Sequence, residues 1–177
     1  DAVVVSDRAD ATLSAADRSR NIAKAVPTKS EAAGDKTGVG ASVAVNVALG
    51  ETLAELADEA YIVIVEAAMG LSATGDHAME TVAQAGAEGG VAVTPAAALS
   101  VSEHATVARL GTPMIDTGEP EVTIITGDLT VEAQSKESIT TTAKGSSDAE
   151  SAAIGATLAI ALVDSTSEAI TERGIHA

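Results

Sequence analysis

The sequence predicts an all-β fold, an elongated β-solenoid of the β-helix kind built from two to three imperfect repeats of about 54–61 residues. Three observations predict it. A motif of alternating apolar residues recurs along the chain, and the interior must be filled by small aliphatic side chains. Proline and glycine also interrupt one copy of the stretch that would otherwise read as a helix.

The recurring motif is GVGASVAVNVALGETLAEL at residues 38–56, which returns as AVTPAAALSVSEHATVARL at 92–110 and as IGATLAIALVDSTSEAIT at 154–171. A shift of 54 matches Val39 with Val93, Ala44 with Ala98, Val47 with Val101 and Leu56 with Leu110. The same shift places Val43, Val45 and Val47 on Ala97, Leu99 and Val101, and a further shift of 61 places them on Leu158, Ile160 and Leu162. Apolar residues at i, i+2 and i+4 lie on one side of a strand. The residues between them, such as Ala44, Asn46, Ala98, Ser100, Ala159 and Ala161, are small, which suits a second face that is also covered or closely approached.

A Thr-x-Ala-x-Leu strand follows, Thr52 to Leu56 and Thr106 to Leu110, with Thr, Ala and Leu on one face. Between the motif copies, Leu71-Ser-Ala73 and Met79 to Ala83 match Val131-Glu-Ala133 and Ile139 to Ala143 at a shift of 60, and a looser echo stands at Leu13–Ala16 and Ile22–Ala25. The chain reads as a single β-repeat domain, a segment of a longer protein, with copies at about 1–56, 57–110 and 111–171.

Residues 51–70 carry good helix formers and a Thr52…Glu55 capping-box pattern. Their counterpart at 105–126 contains Gly111, Pro113, Gly118 and Pro120, which no continuous helix survives. Both segments are therefore expected to be strand, turn, strand, with β-branched strands at 61–65 and 122–125. Gly34-Asp35, Gly75-Asp76 and Gly127-Asp128 are read as turns, Gly38-Val-Gly40 as a bend and Pro95 as the residue ahead of a strand. The longer loop at 111–121 is the place for a copy-specific contact.

One Tyr and no Phe or Trp leave Ala, Val, Ile and Leu to build the core, which must be thin. Thin cores suit stacked coils, whose stability accumulates from neighbour to neighbour. The formal charge of −16, from 26 acidic and 10 basic residues, disfavours nucleic acid and anionic lipid. The carboxylates are scattered, as a solubilising surface would have them. Cysteine is absent, so disulfides and thiolate chemistry are excluded. No uncharged run exceeds 14 residues, against the roughly 20 a membrane helix needs, so no membrane insertion of this segment is expected. The start at Asp1, without a basic and then apolar leader, points to processing or to excision from a longer chain.

No catalytic, cofactor-binding or metal-binding residue stands out. His77, His104 and His176 occupy unrelated positions, lack metal-type spacing and are expected at the surface or in turns. Ser102 and His104 lie close in sequence without the glycine elbow that presents a nucleophile, so their proximity is read as chance. Calcium would suit the acidic balance, but neither the β-roll nonapeptide nor an EF-hand is present, and only Asp116, Glu119 and Glu121 offer a loose cluster. The adjacent Thr140, Thr141 and Thr142 would point to alternate sides rather than form an ice-binding rank.

The strings GVGASVAVNVALGETLAEL, AQAGAEGGVAVTPAAALSVSEHATVARLG and GDLTVEAQSKESITTTAKGSSDAESAAIGATLAIAL resemble the repeat regions of very large bacterial surface proteins. In particular they resemble those of the leukotoxin-type filamentous adhesins and related β-strand-repeat proteins. The resemblance covers most of residues 34–171, departs from the pattern at 58–70 and 114–122, and carries no catalytic residues. It implies an extracellular or cell-surface location and a structural role in a filament or adhesin. The implied partners are the protein itself or its neighbouring repeats, and a glycan or protein on a host or neighbouring cell. Two alternatives come from other classes. One is a carbohydrate-binding or carbohydrate-active β-helix protein. The other is a compact α/β binding module with helices at 51–70 and 152–163.

Overall fold

The structure is a computed structural model that describes residues 3–26, 30–31, 36–57, 61–111, 122–125 and 127–176. It is all-β, and no helix occurs among the described residues. The strands are β1 (Val3–Asp7), β2 (Ala11–Ala25), β3 (Ser30–Glu31), β4 (Thr37–Val39), β5 (Ser42–Leu56), β6 (Tyr61–Val65), β7 (Met69–Leu110), β8 (Val122–Ile125), β9 (Leu129–Thr171) and β10 (Gly174–His176). The two segments that an α/β module would need as helices are extended, residues 152–163 lying inside β9 and residues 51–56 and 61–65 in β5 and β6. The proline-bearing copy thus foretells its sibling correctly, with strands at Tyr61–Val65 and Val122–Ile125.

Strand pairing is parallel among the described strands and follows the spacing read from the motif. β2 pairs with β7 at a shift of 58, from Ala11↔Met69 to Ala25↔Ala83. β5 pairs with β7 at 54, from Ser42↔Ala96 to Leu56↔Leu110. β7 pairs with β9 at 60 up to Gly89↔Ala149 and at 61 from Val91↔Ala152. A smaller parallel sheet has the order β1-β6-β8-β10. The chain therefore lies in three tiers, and β10 adds a fourth strand to the smaller sheet.

β7 is too long to be straight. Ser100 Oγ donates to Thr81 Oγ1 at 2.7 Å, yet 19 residues of extended strand would separate them by roughly 60 Å. The strand doubles back, and the register change between Gly89 and Val91 marks where. Each tier thus has an outgoing arm and a return arm facing each other across a slot. In the first tier Ser42 Oγ donates to the Ala25 carbonyl at 2.7 Å across the same slot. Return arms sit between successive outgoing arms. Asn46 Nδ2 donates to the carbonyl of Asn21 at 3.2 Å in its own tier and reaches that of Glu80 at 3.5 Å in the next.

Short side chains meet across this slot, so its lining is small. Ala44, Ala83, Ala85, Ala96 and Ala98 form one buried cluster, and Ala54, Ala73 and Ala108 another. Large aliphatics gather where the smaller sheet closes one end of the slot, around Ile62, Ile64, Met69, Leu71 and Leu110. This placement corrects the expectation that both faces of the recurrent strand are covered. Ala44 and Asn46 are buried, whereas Val43, Val45, Val47 and Leu49 point outward and are exposed. Along its alanine-lined stretches the slot is narrow, and the larger aliphatics of the first return arm lie outside it.

One glycine reading also changes. Gly75-Asp76 is not a turn, for it lies inside β7 with Gly75 buried. Gly38 and Gly40 allow the first tier to approach the second, since a Cβ would stand 2.3 Å from the Glu88 carbonyl oxygen and 2.1 Å from that of Gly86. Gly127-Asp128 does fall at the corner between β8 and β9, as expected, whereas Gly34-Asp35 lies outside the described residues. Pro95 stands within β7 rather than ahead of it.

Candidate functional site

The alternation that sends Met79, Thr81 and Ala83 into the slot sends His77 there too, and the phase of Ser102, Thr106 and Ala108 does the same for His104. Both imidazoles are buried, at 4% and 5% exposure. Their rings stack with centroids 3.7 Å apart and planes 14° from parallel. The expectation of surface or turn histidines is therefore wrong for these two, and the side chain of His176 lies outside the described residues. Rings fit into an alanine-width slot because two glycines vacate the volume. A Cβ at Gly50 would stand 2.8 Å from His104 Cδ2, and one at Gly75 would stand 2.8 Å from both His77 Nε2 and Thr106 Oγ1.

Register supplies the partners. Ser19, His77 and Glu137 form one inward rung, and Gly50, His104 and Ser165 another. Ser19 Oγ hydrogen-bonds His77 Nδ1 at 2.8 Å, with Asp17 Oδ2 3.6 Å from the same nitrogen. Ser102 Oγ hydrogen-bonds His104 Nδ1 at 3.0 Å, so the Ser102–His104 proximity is a buried contact rather than chance. Glu137 Oε1 approaches that nitrogen to 3.3 Å without hydrogen-bond alignment. Among the described residues, neither Glu137 oxygen nor His77 Nε2 has a hydrogen-bond partner.

This constellation does not have the layout of a nucleophilic relay. A relay needs the hydroxyl and the carboxylate on opposite ring nitrogens. Here Ser102 and Glu137 address the same one. The parallel rings also do not converge on a common point as metal ligands would, and no group of three His, Asp or Glu fit to hold a metal occurs among the described residues. The arrangement cross-links the three tiers through polar groups in an otherwise apolar slot. Asp116, Glu119 and Glu121, the loose calcium candidates, lie outside the described residues.

The two outer faces differ in chemistry. On the outgoing arms Arg18, Asp76 and Lys136 stack in one row, Arg18 Nε lies 3.5 Å from Asp76 Oδ2 and Lys24 Nζ lies 2.7 Å from Glu80 Oε1. A hollow of about 520 Å³ there is lined by Arg18, Arg20, Asp76, Glu80 and Thr140 among others. On the return arms a hollow of about 300 Å³ is apolar, lined by Val43, Pro95, Ala97 and Leu158 with their neighbours. Thr141 points inward to Ser100 at 2.7 Å while Thr140 lines the outer hollow, so the threonine run alternates as expected.

No protein-family model, curated protein or solved structure matches this chain. No helix among the described residues is long and apolar enough to cross a membrane.

Proposed function

We propose that the chain is a stretch of β-solenoid and that its role is structural, as a repeat segment of an extracellular filament or cell-surface adhesin that extends by stacking further tiers. The observation that carries this reading is the parallel register, which returns at 54, 58, 60 and 61 residues along the length of the strands. A chain that adds tiers in this way lengthens along one axis and keeps the same cross-section. The third tier also supports it. Its return arm, residues 151–169, is exposed on both sides, including the small side chains whose second-tier equivalents are buried. Ser100 is held between Thr81 and Thr141, and the third-tier counterpart Ala161 has an outgoing arm on one side alone. Another tier, from a longer chain or from a second copy, would cover that arm and pair the open edge of β9. Unpaired strand edges of this length are templates for such addition.

Small-angle scattering and electron microscopy on chains carrying one, two and three consecutive copies of this segment test the reading. Stacking predicts rods whose length grows by about 4.8 Å per added tier at constant width. Compact particles growing in every dimension would overturn it.

A further inference from the structure

The outer face of the outgoing arms has a charge balance opposite in sign to that of the chain. Its outward positions are 12–24 in the first tier, 70–84 in the second and 130–144 in the third, taken alternately. They hold five of the ten basic residues, Arg18, Arg20, Lys24, Lys136 and Lys144, and only three of the 26 acidic ones, Asp76, Glu80 and Glu132. Five against three leaves a local balance of +2 in a chain of formal charge −16. Charges more than about 8–10 Å away are screened at physiological salt, so a small ligand on this face meets the local balance.

The hollow on this face is centred on a short residue among longer ones. Ala78 pairs with Arg20 on one side and Ser138 on the other, and Asp76 and Glu80 flank it along β7. Its volume of about 520 Å³ falls within the roughly 300–1,000 Å³ of small-molecule sites. Two of the three cations on β2 are already neutralised, Arg18 by Asp76 at 3.5 Å and Lys24 by Glu80 at 2.7 Å. Arg20 lies between them, and its exposed guanidinium has no ion pair or hydrogen bond among the described residues. The hollow therefore presents one unmatched planar cation beside two carboxylates and two hydroxyls.

We infer that this hollow binds a sugar acid, a ring that carries one carboxylate and several hydroxyls, as found in carboxylated glycans. The Arg20 guanidinium is a rigid fork that matches a carboxylate with two parallel N–H···O bonds. Asp76 and Glu80 keep acceptor oxygens beyond their single ion pairs, and these accept from sugar hydroxyls. Ser138 and Thr140 line the far side and can both donate and accept. The same two carboxylates select against densely charged partners, because a nucleic-acid backbone, a sulfated chain or an acidic peptide brings further anions against them. A neutral sugar leaves Arg20 unmatched. The lining contains no aromatic ring on which a sugar could stack, so the affinity lies in the millimolar range. The site is complete within three tiers and stands whether or not further tiers extend the stack.

Titration of the isotope-labelled protein with sodium glucuronate, followed by two-dimensional NMR of backbone amides and arginine Nε–H groups, tests the proposal. Glucose supplies the hydroxyls alone, sodium acetate the carboxylate alone, and hexaglutamate stands for an acidic peptide. Glucuronate is expected to shift the Arg20 Nε–H and the amides around Ala78 and Ser138 saturably, with glucose and acetate at least fivefold weaker. Arg20→Gln should weaken glucuronate binding at least fivefold, and so should Ala78→Leu, which fills the hollow without changing its charge. Both sites are on the outer face, so both variants should keep a strand-type circular dichroism spectrum. Lys144→Gln, on the same face but outside the hollow, should leave binding unchanged. The proposal is overturned by the absence of saturable shifts at millimolar glucuronate, or by acetate or glucose binding as well as glucuronate. Tighter binding of hexaglutamate would overturn it too, as would a loss in Lys144→Gln equal to that in Arg20→Gln.

Discussion

At the scale of single residues, this protein is governed by how little space its slot contains. Gly75 is buried 2.8 Å short of two neighbours that an added Cβ would strike, His77 Nε2 and Thr106 Oγ1. Overpacking of this kind costs about 1–3 kcal/mol. Gly75→Ala should lower the thermal midpoint by several degrees, measured by circular dichroism melting, and the loss should shrink when His77→Ala removes the ring that blocks it. Ser100 tests the polar side of the slot. Its hydroxyl bridges Thr81 and Thr141 at 2.7 Å each, and Ser100→Ala leaves both with one partner fewer. Buried hydroxyls deprived of a partner cost about 1–3 kcal/mol, so urea unfolding of this variant should show a lower midpoint with an unchanged slope.

The residue scale is also where the sequence was misread. The histidines looked scattered because His77 and His104 have no histidine counterparts at the repeat spacings. Their phase was nevertheless visible: each lies an even number of residues from buried alanines, His77 from Ala83 and His104 from Ala108. Parity placed them inside, and Gly50 opposite His104 at a shift of 54 was the sign that a ring occupies the space. The stacked contact itself was not legible, because it depends on where β7 doubles back.

At the scale of elements, the strands follow from alternation reinforced by comparison between copies. Residues 51–56 hold a capping-box pattern and good helix formers, yet they pair strand to strand from Glu51↔Ala105 to Leu56↔Leu110. Local helix propensity, worth tenths of a kcal/mol per residue, yields to a ladder of backbone hydrogen bonds on a neighbouring tier. Inward and outward faces were harder to assign. Alternation separates Val43, Val45 and Val47 from Ala44, Asn46 and Ala48 but does not say which set is the interior. The narrow slot decides for the smaller set, against the usual rule that larger aliphatics are buried. The aliphatic cluster at the closed end is the exception, and it anchors the smaller sheet. Ile64 is fully buried there, so Ile64→Ala should cost about 2–5 kcal/mol in equilibrium unfolding, far more than Val45→Ala on the exposed face. Corners repeat as faithfully as strands. Arg8 and Glu66, aligned at a shift of 58, both take left-handed backbone angles, with φ of 63° and 52°, and their side chains pair at 3.0 Å.

At the scale of the whole molecule, the tiers build a slab with two unlike faces and open ends. The outgoing-arm face carries charges of both signs, the outward positions 39–47, 93–101 and 154–162 of the return arms are apolar, and the outer edge of β9 has no partner strand among the described residues. The proposed role as a filament segment rests on that last feature and on the register beneath it. Register is also what the recurring motif announced, since the shifts of 54, 60 and 61 that superpose the sequence copies are those that pair their strands.

The register itself is the claim to measure most directly. With no native cysteine, nitroxide labels can be placed as a pair at Thr74→Cys and Gln134→Cys, two exposed positions that pair across tiers. Labels on directly paired residues lie roughly 5 Å apart at the backbone, whereas the offset pair Thr74→Cys and Ser138→Cys is separated by roughly 14 Å. Continuous-wave electron paramagnetic resonance of the doubly labelled, dilute protein should show strong spin–spin broadening for the first pair and much less for the second. Equal spectra for the two pairs, or no broadening in either, would contradict the stacked-tier account.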